Sequence, residues 1–153
     1  MLYFKTMGNH TQLKGSISNL FIKPKHGAPM EPRETLEAVA DKGLIGDQAY
    51  GRNSRQILIV DQDMLNALDL EPGNLRENLT VEGMPIDSLA TGTMLQSGDV
   101  VMKLVAICDP CKKLEGIRPG LMHSAAGMRG MLAVVVRGGQ LHKGAPLRIA
   151  KEA

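Results

Sequence analysis

The chain has 153 residues, a net charge of +2 and only two Phe and two Tyr as aromatic residues. That length is enough for one domain with its own core. The low net charge and the few aromatic residues leave little for a polyanion-binding face or for base stacking, which argues against nucleic acid as a partner. The first twenty residues include Lys5, His10 and Lys14 and no continuous apolar run, so we expect neither a secretory signal nor a membrane span. We therefore predict a cytoplasmic protein with a single domain over residues 1–153, of which residues 1–14 are less regular.

The first half of the chain predicts short strands and one short helix. Residues 15–24 alternate loosely up to Pro24 and predict a strand. Residues 34–43 are good helix formers but also alternate over a strand-sized length, so helix and strand both stay open. Residues 56–60, QILIV, are typical of a buried strand. Asp61 is then a predicted helix N-cap, because apolar residues follow it at helical spacing.

The second half predicts further strands. Residues 91–107 hold two apolar runs separated by Ser97, Gly98 and Asp99, which is a hairpin signal. Residues 131–150 predict a second hairpin, with Gly138 and Gly139 as its two-residue turn. No repeat or linker divides the chain. We therefore expect a mostly β fold, a closed or partly open β-barrel with a few short helices.

The only two cysteines, Cys108 and Cys111, form a C-x-x-C motif followed at once by Lys112 and Lys113. Cationic neighbours favour the thiolate, which attacks electrophiles and binds soft metals. Four interpretations stay open: two small buried hydrophobes, two of the ligands of a zinc site, a dithiol redox pair, or one reactive thiolate beside a polyoxoanion. Bidentate donors for that anion are available from several arginines, namely Arg52, Arg55, Arg118 and Arg129.

Five segments occur in an order that resembles the MOSC domain, named for the C-terminal part of molybdenum-cofactor sulfurase. They are GLIGDQAYGR, RQILIVDQDML, LRENLTVEG, LQSGDVVMKLVAICDPCKKLE and GMRGMLAVVVRGGQLHKGAPL. The resemblance covers residues 15–149. It implies a compact barrel similar to the small barrel domain of pyruvate kinase, which binds a molybdopterin-type molybdenum cofactor.

The resemblance also implies site residues. Cys111 takes the role of the catalytic thiolate and molybdenum ligand. The cofactor-binding residues match the family's Gly-Asp loop, its Arg-Gln and Glu-Asn pairs, and the segment before the last hairpin. In this chain they are Gly46, Asp47, Arg55, Gln56, Glu77, Asn78, Arg129 and Gly130.

The chain departs from the family at two histidine positions, which are occupied by Ala49 and Ser54. The resemblance implies either reductive removal of oxygen from N-hydroxylated compounds, fed by an electron-transfer reductase, or a non-catalytic carrier of cofactor or sulfur that exchanges with a partner protein. A dithiol redox protein that uses both cysteines is a third reading. The oligomeric state is left open.

Overall fold

This computed structural model describes residues 13–108, 115–121 and 130–150, and about half of these residues lie in eleven strands and one short α-helix. No helix within these residues is long and apolar enough to cross a membrane. The elements are β1 (Lys14–Ile22), β2 (Glu31–Arg33), β3 (Thr35–Val39), β4 (Gly43–Leu44), β5 (Ile57–Asp61), α1 (Gln62–Ala67), β6 (Leu79–Glu82), a 3-10 helix (Ile86–Ser88), β7 (Met94–Ser97), β8 (Val100–Ile107), β9 (Met131–Arg137), β10 (Gly139–His142) and β11 (Pro146–Ile149).

Seven strands close into a barrel, in the order β11, β7, β8, β9, β5, β6 and β1, with β1 pairing back onto β11. Strand β2 adds to β1 as an extra neighbour. The β5–β6 pair is parallel, since helix α1 lies in the connection between them, and the other pairs are antiparallel. Closure confirms the predicted β-barrel.

Strand β5 is buried on both faces because two apolar clusters lie on either side of it. Ile57 and Ile59 point into the barrel interior, where most strands contribute side chains. Leu58 and Val60 point outward into a second cluster with Met64 and neighbouring residues of α1. This alternation explains why the strand has no polar face.

Several local predictions are confirmed. The loosely alternating first segment is strand β1. For segment 34–43, where helix and strand were both left open, the structure shows strand β3. Asp61 caps α1, as its carboxylate accepts the Met64 backbone N–H at 2.8 Å. The hairpin β7–β8 forms with Ser97 opposite Val100.

The predicted hairpin at Gly138 and Gly139 is wrong. Strand β9 pairs with β8 and β5, whereas β10 leaves the barrel sheet and pairs with β3 in a separate three-stranded sheet. Gly139 has φ +151, and this glycine-favoured conformation lets the chain change direction. The pairing of β10 with β3 puts Leu141 opposite Leu36, and both side chains belong to the interior core. A hairpin of β9 and β10 would not form this pair.

The transfer between sheets depends on the small size of Gly138. A Cβ on this residue would lie 2.6 Å from the backbone carbonyl oxygen of Ala38. Gly116 is the matched control, because its φ is also outside the left-handed region and a Cβ there meets nothing within 4 Å.

We expect Gly138→Ala to lower the free energy of unfolding by about 2 kcal/mol, as overpacking against backbone requires the two sheets to shift. Gly116→Ala should change it by less than about 0.5 kcal/mol. Urea unfolding of both variants measures the difference. Equal stability of the two would show that the close contact at Ala38 costs nothing.

Candidate functional site

A cleft of about 200 Å³ lies where the first residues of β5, the end of β8 and the loop after β4 meet. It brings together side chains from segments far apart in the sequence. Its described lining residues are Lys23, Met30, Asp47, Gln48, Ala49, Arg52, Arg55, Gln56, Ile57, Leu58, Arg76, Asn78, Cys108 and Leu132. Asp47, Arg55, Gln56 and Asn78 were predicted from the sequence as site residues, and the structure places them in one wall.

A buried hydrogen bond between Asn78 and Asp47 joins the wall together. The Asn78 side chain donates to an Asp47 carboxylate oxygen at 3.1 Å and to the Phe21 carbonyl at 3.2 Å. Its amide oxygen accepts the Leu58 N–H at 2.9 Å. Asp47 also accepts the backbone N–H groups of Lys23 and Ala49. Asn78 thereby connects β1, β5 and the Gly-Asp loop.

Gln56 fixes the second part of the wall. Its amide nitrogen donates to the Arg52 carbonyl at 2.7 Å, and its amide oxygen accepts the Val135 N–H at 2.9 Å. The side chain is almost completely buried. It therefore links the Arg52–Arg55 loop to strand β9.

Positive charge dominates the cleft. Lys23, Arg52, Arg55 and Arg76 line it against a single carboxylate, that of Asp47. That carboxylate accepts hydrogen bonds from three donors, and within the described residues no ion pair joins it to Arg52, Arg55 or Arg76. A low-dielectric cleft that is lined mainly by positive charge attracts an anion.

Arg76 was not predicted as a site residue, and it carries the clearest unmet bonding capacity. One of its terminal nitrogens donates to the Ala28 carbonyl at 2.6 Å, while its Nε is buried without a hydrogen-bond partner. Its φ of +63 is uncommon for a residue other than glycine. Strained backbone and an unsatisfied buried donor are features that cluster at binding sites. The available sequence signal was its position directly before the Glu-Asn pair.

Cys108 is the described cysteine of the C-x-x-C motif, and it lines the cleft. The residue is buried, and it packs in the outer apolar cluster with Leu58 and Leu132. Its backbone N–H donates to the Gly130 carbonyl at 3.0 Å, so the end of β8 is joined to the start of β9. Cys111 and Arg129 lie outside the described residues.

Three other residues considered from the sequence, Gly46, Gly130 and Arg118, lie outside the lining of the cleft. Gly46, with φ +92, lies in the exposed turn before Asp47. Gly130 lies at the far end of β5, where an added Cβ would collide with the Ile59 backbone. Arg118, expected to serve an anion, instead donates to the Leu68 carbonyl at 2.7 Å and does not line the cleft.

Glu77 is fully buried below the wall. Its carboxylate accepts the backbone N–H groups of Gly73 and Leu75 and the hydroxyl of Thr80. Burial raises the pKa of Glu77, and these hydrogen bonds act in the opposite direction. The residue shapes the loop that carries Arg76 and Asn78.

A second pair of acids, Asp61 and Asp87, lies near the end of β5. Besides capping α1, Asp61 accepts the Ile86 N–H at 3.2 Å. Burial and then the negative charge of Asp61 raise the pKa of Asp87 to about 6, although a hydrogen bond from the Gly130 backbone favours its ionised form. Burial also raises the pKa of Asp61.

Comparison with known proteins gives one family and several similar folds. The model of the MOSC domain matches residues 46–150. The YuaD protein from Bacillus subtilis superposes with a TM-score of 0.77 at 20% identity, over 92% of this chain and 97% of that one. YiiM from Geobacillus stearothermophilus gives 0.72 at 19% identity, over 90% of this chain and 75% of that one. YiiM from Escherichia coli superposes with a TM-score of 0.70 at 18% identity, over 92% of this chain and 71% of that one. A search of curated proteins gives no match.

The Asn78–Asp47 bond can be tested by Asn78→Asp, which replaces two donated hydrogen bonds with a second carboxylate beside Asp47. We expect a loss of about 3 kcal/mol in the free energy of unfolding at neutral pH. Asn74→Asp is the control, because exposed Asn74 only accepts the Glu71 N–H and loses no donated bond. Urea unfolding measures both, and equal losses would contradict the role given to the Asn78 amide.

Asp87 makes the stability depend on pH. Since its folded pKa is raised, the folded state holds the proton more tightly than the unfolded state, and stability falls as pH rises from about 4 to about 6. We expect Asp87→Asn to stabilise the protein at about pH 7.5 and to have little effect below about pH 4. Thermal unfolding at both pH values checks this. A gain of the same size at both would rule out titration of Asp87 as its cause.

Proposed function

This chain belongs to the MOSC domain family, which is associated with the molybdenum cofactor, and on that premise we propose that its cleft binds a molybdopterin-type cofactor. The observation that carries the proposal is the buried Nε of Arg76, a cationic donor without a partner in the wall of a cleft. Leaving such a group unsatisfied is costly, and a bound anion removes that cost.

The donor set suits the phosphate of such a cofactor. Arg52 and Arg55 make no side-chain hydrogen bond or ion pair within the described residues, so their guanidinium groups are available to an anion. Arginine binds phosphate through two parallel N–H groups. Among the described residues there is no cluster of three or more His, Cys, Asp or Glu that could hold a metal ion by itself.

Cys111 is our candidate ligand of molybdenum. Cys108 lies in the cleft wall, and three peptide units place the α carbons of the two cysteines at most about 11 Å apart. The hydrogen bond from Cys108 to Gly130 brings the start of the cysteine loop next to the residue that follows Arg129. Cys108 itself packs among apolar side chains, where a thiolate is disfavoured.

The bound cofactor would supply a two-electron change at molybdenum. We propose reductive removal of oxygen from N-hydroxylated compounds: two electrons and two protons convert N–OH to N–H and release water, with the electrons coming from a reductase. The chain's own contribution is to bind and orient, through Arg76, Arg52 and Arg55, and to exclude water along the apolar wall of Leu58 and Leu132.

A carrier of cofactor or sulfur is the second candidate function. It is favoured by the absence of histidine among the described residues of the cleft wall, where Ala49 is present instead. Without an imidazole, that wall lacks a side chain that exchanges protons near neutral pH. Turnover of an N-hydroxylated compound with a supplied reductase, dependent on Cys111, would decide against the carrier.

Cofactor loading tests the assignment of Cys111 and Arg76. In protein purified from a cofactor-producing host, we expect Cys111→Ser to lose most molybdenum and Cys108→Ser to retain it. Arg76→Met should lower molybdenum and pterin together by about tenfold, since a charged hydrogen bond to phosphate is lost.

Arg148→Met is the control, because exposed Arg148 lies on β11 and bonds only to Gln96. Thermal unfolding of each variant separates lost binding from lost structure. Molybdenum equal to wild type in Cys111→Ser would remove Cys111 as the ligand, and equal pterin in Arg76→Met would remove the phosphate site.

A further inference from the structure

The loop between α1 and β6 supplies two residues of the cleft wall, Arg76 and Asn78. Glu77 lies between these two in the sequence but does not line the cleft. Its side chain is fully buried instead, and within the described residues no ion pair joins its carboxylate to a cation. A buried charge without a counterion is costly. The hydrogen bonds of Glu77 must therefore account for a carboxylate at this position.

Both oxygens of the Glu77 carboxylate accept hydrogen bonds. Oε1 accepts the Leu75 N–H at 3.2 Å. Oε2 accepts the Gly73 N–H at 2.8 Å and the Thr80 hydroxyl at 3.0 Å. A glutamine could not replace it, because its amide has one acceptor oxygen and would turn the NH2 group towards one of the two backbone N–H groups. The site thus requires a carboxylate and not merely a polar side chain of this size.

These bonds hold the backbone around Arg76. Leu75, which precedes Arg76, is held through its N–H, and Glu77 itself follows. The N–H of Arg76 donates to the Gly73 carbonyl at 2.9 Å, and Gly73 is held by the same carboxylate. Arg76 has φ +63, a left-handed conformation that is unfavourable for a residue with a side chain and persists where the surroundings impose it. The Glu77 carboxylate is placed to impose it.

We propose that Glu77 is a positioning residue of the anion site: its carboxylate keeps Arg76 in the left-handed conformation from which the guanidinium reaches the cleft. Glu77 does not touch the ligand and acts through Arg76. This role rests on the proposed function, because it requires an anion at Arg76. It differs from the direct contact with the cofactor that the family resemblance implied for Glu77.

Sulfate binding to the full chain without cofactor, measured by isothermal titration calorimetry, tests this role. We expect Arg76→Met to weaken sulfate binding by about tenfold and Glu77→Gln by about fivefold. In the double variant we expect no loss beyond that of Arg76→Met, because a residue that acts through Arg76 has no effect once the guanidinium is gone. A merely structural residue would leave the affinity unchanged or weaken it by the same factor in both backgrounds.

Two control variants separate lost charge and lost stability from positioning. Glu82→Gln removes an exposed carboxylate at the end of β6. Leu95→Ala removes a fully buried side chain of the barrel interior on β7, and it should be clearly less stable in urea. Both should bind sulfate as the wild type does. A loss of affinity in Leu95→Ala as large as that in Glu77→Gln would attribute the effect to stability and overturn the proposal.

A milder pair of variants applies if Glu77→Gln does not fold. Thr80→Val removes the hydroxyl that donates to the carboxylate, and Thr80→Ser keeps it. We expect Thr80→Val to weaken sulfate binding by about threefold and Thr80→Ser to bind like the wild type. Equal affinity in these two variants would contradict the role given to the carboxylate.

Failure of the proposed function gives a different result. Wild-type protein that does not bind sulfate, or Arg76→Met that binds it normally, would remove the anion site and the positioning role with it. Binding that is lost in Arg76→Met but kept in Glu77→Gln, or losses that add in the double variant, would overturn the positioning role alone and leave the anion site in place.

Discussion

The hydrogen bond between Asn78 and Asp47 is the contact on which the candidate site depends. Asn78 uses both amide donors and its oxygen, and Asp47 uses both carboxylate oxygens. A buried polar network that is fully satisfied stabilises one arrangement, whereas a partly satisfied one is costly. Strands β1 and β5 and the Gly-Asp loop are therefore held in a single geometry before any ligand arrives.

In this network the carboxylates stabilise the wall, whereas the arginines of the cleft are left for a ligand. The negative charge of Asp47 is directed at backbone and amide donors, and that of Glu77 is enclosed below the wall. Neither carboxylate neutralises the arginines. Arg52 and Arg55 therefore keep their capacity for an anion, and the buried Nε of Arg76 has no hydrogen-bond partner among the described residues. Preorganised donors of this type bind without a further reorganisation cost.

The sequence predicted the fold and part of the wall because those features are local or shared by a family. Alternation and turn residues identified β1, β5 and the β7–β8 hairpin, and an acidic N-cap identified α1. The family resemblance selected Asp47 and Asn78, which the structure brings together. The roles proposed for Cys111 and Arg129 stay predictions, as these residues lie outside the described part of the chain.

Features that depend on contacts between distant parts of the chain could not be predicted from the sequence in the same way. Two adjacent glycines between apolar runs are the usual signal of a hairpin, but the choice between β9 and β3 as partner of β10 depends on where Leu141 finds the core. Arg76 has no distinguishing local pattern, since its importance arises from its left-handed backbone and from its hydrogen bond to the Ala28 carbonyl, 48 residues away. Both depend on the completed barrel.

An irregularity in the pairing of β8 with β9 determines how the end of β8 meets the cleft. With regular alternation to its end, this strand would have turned Val105 and Ile107 to one face and Ala106 to the other. The register instead shifts between Leu104 and Ala106, so Val105 and Ala106 are both half-buried against the outer apolar cluster. Ile107 is exposed, and Cys108 is buried in the same cluster as Leu132. Because Cys108 and Leu132 both line the cleft, this change of register contributes to the apolar part of its wall.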